Sequence, residues 1–291
     1  MKAEPFLRGL NFGEGLRWRA GRFWYSDFYK QQVLSVGADG APRIELTVAD
    51  DRPSGLGWLP DGRLLAVSMG KRQILRRERD GRISVHADLA PFTSHHANDM
   101  LVDARGDAYV SCFGFDLFAF VSAHGSAALF AEPGPPRAPV LRVSPEGAVS
   151  VASEDHLFPN GMALIGKTLI VAECFLPGLT AFDIGPDGAL ANRRIWARFS
   201  KPQPTIVPDG ICSDSEGAVW IANSIAREAL RIGEGGRILD RVETEQIAFT
   251  CALGGADGRD LVIVTAPTAK PEAAAAKARG MLEIARVQTP L

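Results

Sequence analysis

The chain has 291 residues, 46% of them hydrophobic, and a formal net charge of −2. That length fits one large all-β domain or two smaller ones, and the near-neutral charge offers no basic surface for phosphates, which excludes nucleic acid as an expected partner. No apolar run approaches the roughly 18 residues of a membrane helix, and residues 1–6 lack the apolar centre of a signal peptide, so no membrane partner and a cytoplasmic location are expected.

In chain order, residues 1–13 carry Pro5, Gly9 and Gly13 before the first of six similar units. Each unit starts with a residue bearing side-chain oxygen, runs into an apolar strand, turns at a glycine, and climbs out as a second strand, which reads as a β-hairpin. The first runs from Glu14 through Gly21 to Asp27, the second from Ser54 through Asp61-Gly62 to Ser68, and the third from Asn98 through Gly106 to Ser111. The fourth runs from Asn160 through Gly166 to Glu173, the fifth from Asp209 through Gly217 to Asn223, and the sixth from Thr250 through Asp257-Gly258 to Val264. Unit starts fall roughly 40 to 60 residues apart, near the period of propeller blades. Alternating segments at 30–36, 43–48, 73–77, 82–86, 178–184 and 193–198 supply outer strands, giving four strands per unit.

These observations predict an all-β fold: a six-bladed β-propeller of four-stranded antiparallel blades, forming a single domain over residues 1–291. Closure of the last blade needs a strand from one end of the chain, either Phe6-Leu7 or the segment 281–287, which places the termini close together. Residues 113–140 read as a long loop, because Pro133, Pro135, Pro136 and Pro139 oppose a ladder strand. Phenylalanines at its root are expected to wall a pocket. Residues 199–206 lead into Asp209, and the Ala-rich segment 268–280 reads as a surface insertion without chemistry. Cys112, Cys174, Cys212 and Cys251 form no CxxC and have no partnered histidine spacing, so they read as buried reduced thiols.

In a propeller, equivalent positions at one end of every inner strand converge on the axis. Glu14, Ser54, Asn98, Asn160, Asp209 and Thr250 hold that position, and all six carry oxygen. Ser54 and Thr250 fit a turn-forming role. Glu14, Asn160 and Asp209, with Asn98 as a direct or water-mediated ligand, form a hard-oxygen set for one divalent metal ion. Calcium is expected, with manganese, zinc and magnesium as alternatives. A bound cation would also remove the repulsion between the two carboxylates.

At Phe158-Pro159-Asn160-Gly161, Val207-Pro208-Asp209-Gly210, Glu14 within 13–18, and Asn98-Asp99-Met100, the chain resembles the SMP-30/gluconolactonase/LRE-like family of six-bladed propeller lactonases. The resemblance covers nearly the whole chain. It implies metal ligation by Glu14, Asn160 and Asp209, contact of Asn98 with metal or substrate, and hydrolysis of a cyclic ester. Asp209 is the expected catalytic base, with hydroxide on the ion as the competing account. Sugar-lactone members carry an arginine two residues before the Asn. Here that residue is His96, preceded by His95, so both histidines, with Phe113, Phe115 and Phe175, are expected to contact a smaller or less polar lactone.

The partner expected is therefore a small-molecule lactone, and the protein a monomer or weak homo-oligomer. A catalytically silent propeller that binds calcium or another protein is the alternative. A strictosidine-synthase-like condensing enzyme would need a pocket glutamate, for which Glu173 is the only candidate.

Overall fold

The computed structural model describes residues 1–199 and 204–291. Residues 200–203, part of the approach to Asp209, lie outside the described residues. Strand β1 (Glu4–Leu10) is followed by a first blade of β2–β5 (Gly13–Arg19, Arg22–Asp27, Gln32–Val36, Pro42–Thr47). The second is β6–β9 (Pro53–Trp58, Leu64–Ser68, Gln73–Arg77, Ile83–Asp88), and the third β10–β13 (Ala97–Val102, Ala108–Cys112, Ala138–Val143, Val149–His156). The fourth is β14–β17 (Pro159–Ile165, Thr168–Glu173, Gly178–Ile184, Leu190–Arg198), and the fifth β18–β21 (Pro208–Ser213, Val219–Asn223, Glu228–Ile232, Ile238–Glu243). The sixth combines β22–β24 (Ile247–Gly254, Asp260–Ala266, Gly280–Arg286) with β1, in the order β22-β23-β24-β1. These six sheets make the six-bladed β-propeller expected. Both candidate closing segments are used: the C-terminal one is the third strand of the last blade and the N-terminal one its outer strand.

Local chemistry explains the hairpins. Ala20 and Gly21, both at positive φ (50° and 76°), form the two-residue turn joining β2 to β3, whose twist matches that of the strands. Longer turns reuse an aspartate whose carboxylate accepts from a backbone N–H two residues on: Asp61 from Arg63 (3.1 Å), Asp80 from Arg82 (3.0 Å), Asp187 from Ala189 (3.1 Å). The apolar side chains form a cluster between each neighbouring pair of blades, such as Leu65, Met100 and Leu141 between the second and third, or Ile170, Ile221 and Leu230 between the fourth and fifth. The four cysteines are free, three of them buried and Cys212 half-buried.

Two segments depart from expectation. Residues 113–140 are not a loop throughout: α1 (Leu117–His124) and a 3-10 turn (Ser126–Leu129) lie within them, and β12 begins at Ala138. Asp116 caps α1, its carboxylate accepting from the Ala119 N–H (2.9 Å). Pro139 is tolerated in β12 because it falls where the register with β13 shifts, between Ala138 and Val140. The Ala-rich segment forms α2 (Pro271–Ala276), and it is docked: Ala274 is buried, and Asn11 Nδ2 donates to the carbonyls of Ala274 (3.1 Å) and Ala275 (2.9 Å).

Candidate metal and lactone site

The inner strand of every blade breaks register where it reaches the mouth. In blades two to five, two residues oppose one on the neighbouring strand: Ser54-Gly55, Asn98-Asp99, Asn160-Gly161 and Asp209-Gly210. In the first blade the shift follows Glu14 directly. Such bulges re-aim side chains, and here they fall on the oxygen-bearing positions. The glycines let neighbouring inner strands close up: a Cβ on Gly161 would lie 2.5 Å from the Asp209 carbonyl oxygen, and one on Gly210 would strike the Thr250 side chain.

Glu14, Asn98, Asn160 and Asp209, from four different blades, thereby line one cavity of about 120 Å³, and all four are nearly buried. A polar chain links three blades: Ser54 Oγ donates to Asn98 Oδ1 (2.9 Å), and Asn98 Nδ2 donates to Asn160 Oδ1 (3.0 Å). Ser54 therefore orients Asn98 in addition to starting its strand. In the sixth blade the register shift places Phe249 in the cavity, while Thr250 is fully buried against Gly210. Cys174 sits behind Asn160, accepting from Asn160 Nδ2 (3.5 Å) and donating to the Pro208 carbonyl (3.1 Å).

Burial pushes the Glu14 carboxyl well above the usual carboxylate range, and the charges of Asp209 and Asp99 add to the effect. Asp209 is pushed up by burial and by the charge of Asp99, with the neighbouring Asn160 carboxamide lowering it in part. Among the described residues, Asp99 alone of these three carboxylates has a counter-ion: Arg17 Nη2 donates to Asp99 Oδ1 (2.7 Å) and to the Met100 carbonyl (2.6 Å). Arg17 also lines a separate cavity beside Trp18 and Cys212.

The donor set fits a hard divalent ion. Asp209 Oδ1 is buried without a hydrogen-bond partner among the described residues, an acceptor that a cation would satisfy. No group of three or more His, Cys, Asp or Glu side chains able to hold a metal occurs among the described residues, so an ion here would depend on the Asn160 and Asn98 carboxamides.

The remaining residues named from the sequence divide. Phe113 lines the cavity, stacked on Phe158 (centroids 4.2 Å, 25° between planes). Phe115 and Phe175 do not line it; they are buried behind Phe158, at 5.7 and 4.8 Å, in an apolar cluster beneath α1. The register of the loop sets that, and spacing alone did not reveal it. His95 and His96 are half-buried, with rings 4.4 Å apart, and neither lines the cavity. His96 Nε2 is 3.1 Å from Arg52 Nη2, and burial, then Arg52, lowers its pKa to about 4. Arg52 does line the cavity. A guanidinium therefore reaches the cavity from the start of the second blade and rests on the histidine. Arg52 carried no sequence signal beyond standing two residues before Ser54. Glu173 is fully buried away from the cavity, accepting from Thr180 Oγ1 (2.6 Å) and the Leu157 N–H (3.1 Å), beside His156 (3.3 Å). That removes the one candidate for a condensing enzyme.

Ala269 and Pro271 complete the wall, so this largely exposed Ala-rich segment also borders the cavity.

Residues 12–267 match the family model described as SMP-30/Gluconolactonase/LRE-like region. Among curated relatives, the chain is 37% identical over 81 residues to regucalcin of Danio rerio, covering 27% of each chain. It is 29% identical over 110 residues to L-arabinolactonase of Azospirillum brasilense, covering 38% of this chain and 34% of that one. To 6-deoxy-6-sulfogluconolactonase of Pseudomonas putida it is 28% identical over 129 residues, covering 43% and 44%. The chain thus spans less than half the length of these relatives. Among solved structures, luciferin-regenerating enzyme superposes with a TM-score of 0.80 at 17% identity, over 99% of this chain and 96% of that one. A calcium-binding protein, regucalcin, from Agrobacterium tumefaciens superposes with a TM-score of 0.74 at 17% identity, over 99% and 94%. At these identities the superpositions establish the fold.

Proposed function

The chain belongs to the SMP-30/gluconolactonase/LRE-like family, and from that premise we propose that it is a metal-dependent lactonase, opening a small sugar or aliphatic γ- or δ-lactone to its hydroxy acid. The observation that carries the reading is the convergence of Glu14, Asn98, Asn160 and Asp209 in one cavity, with a buried Asp209 oxygen lacking a partner among the described residues. The relatives named as arabinolactonase and sulfogluconolactonase support the substrate class. An interaction propeller would have no need of two unneutralised buried carboxylates.

Glu14, Asn160 and Asp209 would hold the ion, with Asn98 direct or through water. Calcium is favoured by the all-oxygen donors, ahead of manganese, magnesium or zinc. When bound, the ion supplies Lewis-acid polarisation of the lactone carbonyl. Asp209 takes the proton of the water whose oxygen bonds to the carbonyl carbon. The ring C–O bond then breaks, and Asp209 returns the proton to the departing ring oxygen, which becomes the product hydroxyl. Phe12, Phe113, Phe158 and Phe249 exclude bulk water from this step. No helix of the described structure is long and apolar enough to cross a membrane.

The test is proton release from a panel running from gluconolactone to unsubstituted γ-lactones, on EDTA-treated protein with calcium, manganese or zinc restored. Metal-restored turnover, abolished in Asp209→Asn, is the expected result. Calcium binding with no turnover of any lactone would replace this reading with a silent metal-binding propeller.

A further inference from the structure

Building on the lactonase reading, we infer that Arg52, presented by His96, is a specificity-determining residue that receives an anionic substituent on the lactone, a carboxylate or sulfonate. The argument rests on what surrounds the guanidinium. Arg52 stands immediately before β6 and lines the same cavity as Glu14 and Asp209. Arg17, Arg63 and Arg77 each pair with a carboxylate, but no ion pair among the described residues includes Arg52.

The adjacent acid, Asp51, is committed elsewhere. Its oxygens accept from Ser68 Oγ (2.5 Å) and from the N–H groups of Gly70 (3.0 Å) and Lys71 (2.9 Å). The polar neighbours of the guanidinium are His96, whose Nε2 must act as acceptor and so fixes the ring as the neutral Nδ1–H tautomer, and the Tyr29 phenol. Around these the wall is apolar: Phe28, Met69, Phe113 and Leu117.

An arginine cannot shed its proton to escape such surroundings. Arg52 is half-buried, and with five donors and one firm acceptor it keeps donors free on the cavity side, where an anionic ligand would supply a counter-charge that no described residue supplies. Carboxylate and sulfonate both match that fork in a two-point hydrogen bond. A neutral, hydroxyl-bearing lactone would satisfy donors but leave the charge uncompensated. His96 acts as the positioning residue: it occupies one edge of the guanidinium and leaves the remainder to the substrate.

The experiment compares, on calcium-loaded protein, pairs of γ-lactones that differ only in a ring carboxylate, a ring sulfonate, or the neutral carboxamide. The expected result is a preference for the anionic members. In Arg52→Gln that preference should fall by about 10- to 100-fold in kcat/KM, chiefly through KM, with the anionic members losing more than the carboxamide. His96→Ala should lose part of the preference, and His96→Gln, which keeps an acceptor, should recover it.

A second arm needs no turnover. Calorimetric binding of tetrahydrofuran-2-carboxylate to the same loaded protein should weaken to a similar degree in Arg52→Gln, with the melting temperature unchanged. Equal losses for charged and neutral lactones, or no preference in the parent protein, would overturn the assignment. If no lactone reacts but the carboxylate still binds through Arg52, the lactonase reading fails and the anion site stands; if neither occurs, both fail.

Discussion

Replacing Gly161 by alanine tests whether close contact between inner strands holds the site together. The new methyl would lie 2.5 Å from the Asp209 carbonyl oxygen and 2.6 Å from the Ile211 nitrogen, both backbone atoms that no rotamer change can move aside. Restoring an ordinary separation of about 3.5 Å requires β14 and β18 to part by about 1 Å. Overpacking of that kind costs about 1–3 kcal/mol. For a chain of this size, that corresponds to a fall of roughly 2–12 °C in melting temperature. The displaced strand carries Asp209 itself, and a misplacement of about 1 Å at a reacting group costs on the order of 100-fold in rate. Activity should therefore fall much further than stability. Urea unfolding with an unchanged m-value, calcium affinity by calorimetry, and kcat on the best lactone would measure the three effects separately. Full activity at an unchanged melting temperature would show that neighbouring inner strands yield freely, and that the strand contact does not fix Asp209.

Ser54→Ala removes the donor that orients the Asn98 carboxamide; stability should fall by about 1–2 kcal/mol in urea titrations, and activity by about tenfold if Asn98 then rotates. Glu173 is predicted to contribute to acid sensitivity. Burial alone would raise its pKa, but the His156 ring 3.3 Å away, with hydrogen bonds from Thr180 and Leu157, lowers it to about 2. Against an unfolded value of about 4.3, its contribution, on the order of 3 kcal/mol, is fully present above that value and is lost as pH falls towards 2. In Glu173→Gln, stability measured between pH 5 and pH 2.5 should lose much of that slope; an unchanged slope would reject the assignment. Phe118 lines the cavity from α1 yet is 43% exposed, so Phe118→Ala should raise KM for a lactone and leave the melting temperature within a degree or two.

Glu14, Asn98, Asn160 and Asp209 were legible because each stands at the same distance before an inner hairpin, and propeller symmetry turns that linear register into a ring. The bulges at those positions were not legible, since they depend on how closely a neighbouring blade approaches. For the same reason the repeat pointed to Thr250, where the register shift presents Phe249. Arg52 and His96 are 44 residues apart and meet only because the second and third blades are adjacent. Reading His96 alone as the substitute for an arginine therefore left out the guanidinium that rests on it. Phe115 and Phe113 differ by two positions in one segment, yet one is packed beneath α1 and the other faces the cavity. The intervening turn at Gly114, at a φ of 76°, breaks the alternation that would have put them on one face.

The sixth blade also governs the order in which the ring can be completed. Its outer strand, β1, is made first, whereas its immediate partner, β24, is about 270 residues further on, with Glu4 opposite Ile284 and Leu10 opposite Gly280. Until that partner exists, β1 has an open edge; the residues before it pair with the fifth blade, the Ala3 N–H donating to the Glu243 carbonyl and the Glu243 N–H to the Met1 carbonyl (both 2.8 Å), with Ala3 packed against Trp220 and Val242. The five blades formed from consecutive strands can assemble locally as the polypeptide emerges, but the closing sheet is a long-range pairing that must come last. A peptide copying β1 would compete for the edge of β24 during refolding and have no purchase on the finished ring, so closure is the stage at which this protein is most exposed to misassembly.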